Sequence, residues 1–91
     1  MLKPVLTDCF VLLGLARGEN LDRLASLAVQ KVDQLRGLDR TSTEFEAALA
    51  SARDDLTVRA HMDSLRTTDC MDAQRWNAGV SIMLRLASVV P

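Results

Sequence analysis

From residue 21 onward the apolar side chains return every three or four positions, at Leu21, Leu24, Ala28, Leu35, Leu38, Phe45, Leu49, Ala52 and Leu56. Lys31 and Ser42 occupy the two seam positions where an apolar residue is missing. Alternating steps of three and four keep one face of a helix apolar, so the spacing predicts a heptad-like seam. The register runs without a slip from 21 to 57, which predicts one long helix with a soft point near Gly37 and the Thr41-Ser42-Thr43-Glu44 stretch. Beyond it, residues 51 to 66 keep a helical composition with a thinner apolar stripe.

Two shorter patterns flank that seam. Ahead of it, Val5, Leu6, Cys9, Phe10, Leu12 and Leu13 follow Pro4 and predict a short first helix, with Gly18 at its C-terminal stop and Asn20 as the cap of the next. Behind it, Thr67, Thr68 and Asp69 offer caps for a last helix running toward Pro91. On a helical wheel Ala73, Trp76, Val80, Met83 and Ala87 form one stripe of that last helix, while Ile82, Leu84, Leu86 and Val89 fall outside it. A helix apolar on two sides needs two surfaces to cover it. No period-two alternation and no Asn-Gly or Asp-Gly hairpin signal appears, so the expected fold is all-α: two long antiparallel helices with a short N-terminal helix.

Length and composition sharpen the picture. Ninety-one residues make a single domain, 1–91, whose monomer has little surface to bury. Aromatic residues are only 3% of the chain, so its core is built from Leu, Ala, Val and Met. Excess apolar helix face in so small a chain predicts a helical-bundle homodimer. Leu21, Leu24, Ala28, Leu35, Leu38, Phe45 and Leu49 are its expected core and dimer seam.

The formal net charge is −1, and the basic residues alternate with acidic ones instead of clustering. Nucleic-acid binding needs a concentrated basic face, so no direct nucleic-acid contact is expected. Apolar runs fall short of a bilayer span, being broken by Asp8 near the start and by Arg75, Asn77 and Arg85 near the end. Cys9 and Cys70 are far apart and fit no ligand spacing, which suits reduced thiols and a cytoplasmic location.

Catalytic chemistry has no visible carrier. Nucleophile–base pairs, paired carboxylates and phosphate-cradling glycine loops are all missing, so neither an enzyme nor a cofactor is expected. His61 and Asp63 stand two apart, which points their side chains away from each other on a helix and predicts no metal site. The residues best suited to grip a partner are Arg66, Arg75, Trp76, Met83 and Arg85: one aromatic anchor, one adaptable thioether and cations able to bind carboxylates in two-pronged fashion.

The run GLARGENLDRLASLAVQKVDQLRGLDRTSTEFEAAL, residues 14 to 49, resembles the long first helix of the TraM family of quorum-sensing antiactivators. Gly14, Leu15, Arg17, Gly18, Leu24, Leu38, Glu44, Ala48 and Leu49 carry the likeness, and Met71, Ala73 and Gln74 resume it ahead of an apolar run ending in Pro91. Residues 50 to 70 do not share it. The resemblance implies a helical dimer that binds a LuxR-type transcription factor of the TraR kind and blocks its DNA binding, so that target genes stay silent. The alternative class is a small helical secretion chaperone or immunity-type binding module, which has the same size and composition.

Overall fold

The computed structural model describes residues 2–64 and 73–89. They form four helices and, among the described residues, no strand: α1 (Leu2–Leu12), α2 (Glu19–Arg36), α3 (Thr43–Ser64) and α4 (Ala73–Ala87). The all-α expectation holds. The single helix expected over 21–57 does not, because one helix stops at Arg36 and a second starts at Thr43.

Local chemistry explains that break. Gly37 caps α2, and Asp39 Oδ1 then accepts hydrogen bonds from both the backbone N–H and the hydroxyl of Thr41, closing a tight turn. Ser42 Oγ accepts the N–H of Phe45 at 3.1 Å and so satisfies one orphan donor of the first turn of α3. The same hydroxyl donates to the Asp39 carbonyl at 2.6 Å. Ser42 therefore sits in the apolar seam as a helix cap. The seam survives the turn because α2 and α3 lie back to back on one core, with Leu35, Leu38, Phe45 and Leu49 all buried or half-buried.

The start of the bundle also differs in detail. Leu15 N–H bonds to Phe10 O and Gly14 N–H to Val11 O, the paired bonds of a Schellman stop. Gly14, at φ +66°, is thus the left-handed residue that ends α1, the role expected of Gly18. Gly18, at φ +67°, is instead the residue from which α2 departs, two residues earlier than an Asn20 cap would place it.

One core joins all four helices. Leu6 and Phe10 of α1, Leu24, Ala28, Val32 and Leu35 of α2, and Phe45, Leu49, Ala52 and Leu56 of α3 close on Trp76, Val80, Met83, Leu84 and Ala87 of α4. Gly79 lets α4 approach the end of α1, since a Cβ there would stand 3.2 Å from Leu15 Cδ1. Ion pairs tie neighbouring helices at their edges: Lys3–Asp22 between α1 and α2, Lys31–Asp55 between α2 and α3, and Arg85–Glu46 between α3 and α4. Exposed pairs of this kind each add at most about 1 kcal/mol, so they fix the alignment of helices that apolar burial holds together. Among the described residues, no helix is long and apolar enough to cross a membrane.

Candidate functional site: two uncovered helix faces

The five residues expected to grip a partner fall in different places. Trp76 and Met83 are both buried in the chain's own core, where the scarcity of aromatics makes the one tryptophan its largest filler. Trp76 packs at a tilt against Phe10, with ring centroids 6.4 Å apart, and its Nε1–H donates to Thr57 Oγ1 at 2.7 Å. The Thr57 hydroxyl in turn donates a hydrogen bond to the Arg53 carbonyl, so the indole N–H is satisfied without leaving the core. Arg85 reaches back to α3, gripping both oxygens of Glu46 at 3.0 Å, and stands 5.7 Å from the centre of the Phe45 ring. Arg75 is exposed and lies over the turn at Gly14, where an added Cβ would meet its guanidinium at 2.8 Å. Arg66 lies outside the described residues.

The expected dimer seam is the core of one chain. Leu24, Ala28, Leu35, Phe45 and Leu49 are buried, while Leu21 and Leu38 are half-buried against them. Lys31, which shares their register, keeps its stem packed and pairs its ammonium with Asp55 at 2.6 Å. Long cationic side chains take apolar positions in this manner, with only the head at the surface.

Beyond Val5, Val11 and Leu12, which are exposed on α1, two further apolar surfaces among the described residues stay outside that core. The first is a groove between α2 and α3 lined by Leu27, Lys31, Asp55, Val58, Arg59 and Met62. Val58 is 59% exposed and Met62 55% exposed. The α3 core stripe runs through Phe45, Leu49, Ala52, Leu56 and Ala60, and these two residues lie off it. The second surface is the outer side of α4, where Ile82, Leu86 and Val89 remain open to solvent. Sequence reasoning set Ile82, Leu84, Leu86 and Val89 outside the core stripe of the last helix; three of them are exposed, but Leu84 is fully buried, and Met62, counted in the apolar stripe of residues 51 to 66, is exposed instead.

Asp63 ends the α3 stripe with a carboxylate in place of an apolar side chain. It is buried, its Oδ1 stands 3.5 Å from Arg23 Nη1, and its Oδ2 has no hydrogen-bond partner among the described residues. His61, two positions away, is exposed, so the two do not converge. No group of three metal-ligating side chains occurs among the described residues. No protein-family model, no curated protein and no solved structure matches this chain.

Proposed function

We propose that this protein is an antiactivator: a helical module, homodimeric in solution, that binds a LuxR-type quorum-sensing transcription factor and keeps it from its DNA. The observation that supports the reading is the α2–α3 groove, where Val58 and Met62 stay largely exposed beside Leu27. An apolar strip of this shape, with Lys31, Asp55 and Arg59 as a polar rim, suits an amphipathic helix from a partner protein. Met62 adapts to an irregular apolar surface, and Arg59 suits a carboxylate.

The mechanism is capture without chemistry. Basic residues are dispersed among acidic ones, so the protein does not compete for the DNA itself; it holds the regulator in a form that cannot dock on its operator. The resemblance of residues 14 to 49 to the TraM family supports the choice of a LuxR-type partner, and the cytoplasm, where such regulators work, is the matching location.

Light scattering during size-exclusion chromatography tests the reading, using the protein mixed with the LuxR-type regulator encoded in the same genome. The expected result is a stable complex that Val58→Asp with Met62→Asp dissolves while leaving the helical circular dichroism intact. Separate elution of the two wild-type proteins would overturn it.

A further inference from the structure

We infer that the α2–α3 groove selects its occupant by charge as well as by apolar fit: the segment it takes is an amphipathic helix whose apolar stripe is interrupted by a carboxylate, and that carboxylate pairs with Arg59. This rests on the reading of the groove as a docking site and names the chemistry of the docked segment.

Two ion pairs fix how the helices line up. Lys31 meets Asp55 at 2.6 Å and Arg23 meets Asp63 at 3.5 Å, so α2 and α3 run antiparallel, with eight residues on one matched by eight on the other. Leu27 and Arg59 are the midpoints of those intervals and face each other across the groove, about 6 Å along the axis from either pair. One turn to either side of Arg59 on its own helix stand Asp55 and Asp63, the carboxylates best placed to neutralise it. Both are engaged by α2 instead. Arg59 is left exposed, opposite an apolar side chain, with no ion pair or hydrogen bond among the described residues.

The place of that charge within the apolar lining is what makes it selective. At about 100° per residue, α3 presents Val58, Met62, Asp55 and Arg59 in that order from solvent toward the core. Arg59 thus lies between the exposed Val58–Met62 pair and half-buried Leu27. Asp55 is neutralised by Lys31, so the Arg59 guanidinium is the uncompensated charge between two apolar patches. A helix lying in the groove covers all of them. A continuous apolar stripe would press the guanidinium against hydrocarbon, which costs free energy with nothing in return. A stripe with Asp or Glu between its apolar anchors meets the same group with a two-pronged, charge-assisted bond.

The same charge argues against a second copy of this chain as the occupant. In a two-fold contact each copy must receive what it presents, so pairing across the middle of the groove would set two Arg59 guanidinium groups against each other. The one carboxylate in the lining, Asp55, is already held by Lys31.

The test is fluorescence anisotropy with two labelled model helices, each an amphipathic peptide with a leucine stripe, identical except for Glu or Lys at the centre of that stripe. The full-length protein is expected to bind the Glu peptide at least about fivefold more tightly than the Lys peptide, a preference that shrinks as salt is raised. Arg59→Glu, at an exposed position, is expected to keep the helical circular dichroism and reverse the preference. Equal affinity for the two peptides, binding of neither, or a preference that Arg59→Glu leaves in place would overturn the inference and leave the antiactivator reading standing. Selective binding of the Glu peptide by a protein that does not co-elute with the regulator would do the opposite, removing the antiactivator reading and keeping the selectivity of the groove.

Discussion

Trp76 shows how one side chain decides between a binding site and a core. Its ring fills the junction of α1, α3 and α4, and its single polar atom is spent on Thr57. Trp76→Ala is therefore expected to destabilise the fold by about 3–5 kcal/mol in urea denaturation followed by circular dichroism. Trp76→Phe loses the indole hydrogen bond and costs less, about 1–2 kcal/mol, with regulator binding by the folded variant unchanged. Asp39 is the matching case for titration. Hydrogen bonds from the Thr41 backbone and hydroxyl hold its carboxyl below the usual value of 3.8. A carboxyl depressed in the folded state stabilises the fold above its unfolded pKa, and that contribution is lost as pH falls through the folded value. An NMR titration should give Asp39 a midpoint below 3.8, and Thr41→Val should move it up.

At the scale of the element, the decisive positions are the helix ends. Ser42→Ala removes the cap of α3 and is expected to cost about 1 kcal/mol. Gly14→Ala forces a Cβ into a left-handed position that Arg75 already crowds, and is expected to cost about 1–2 kcal/mol. Thermal denaturation of the two variants checks both figures. These ends also show what the sequence made legible. Side-chain period identified the helical faces correctly, since Leu24, Ala28, Leu35, Phe45 and Leu49 are all buried as the seam requires. Period cannot report a turn that preserves it: six residues, 37–42, separate α2 from α3 and return the chain in the same heptad phase. The glycines were ambiguous for a related reason, because Gly14 and Gly18 both take positive φ and only the hydrogen bonds at Phe10 and Val11 show which of them ends α1. Lys31 and Ser42 looked alike in the seam and have unrelated causes, an ion pair and a cap.

Over the whole molecule, the surplus apolar surface read from the last helix is present, and it is divided. One part faces outward on α4, at Ile82 and Leu86; another lies in the α2–α3 groove, at Val58 and Met62, where the proposed regulator would dock; a third is on α1, at Val11 and Leu12. Of the expected partner residues, Trp76 and Met83 are buried in the chain's own core, because an aromatic and a methionine suit an interface and a core equally well and composition cannot tell which one the chain completes first. Displacement of operator DNA tests this account most directly: fluorescence anisotropy of a labelled operator bound by the LuxR-type regulator, titrated with this protein. The account predicts that anisotropy falls to the value of free DNA as the protein is added, and that Val58→Asp with Met62→Asp abolishes the fall. Anisotropy that stays at the bound value throughout the wild-type titration would contradict it.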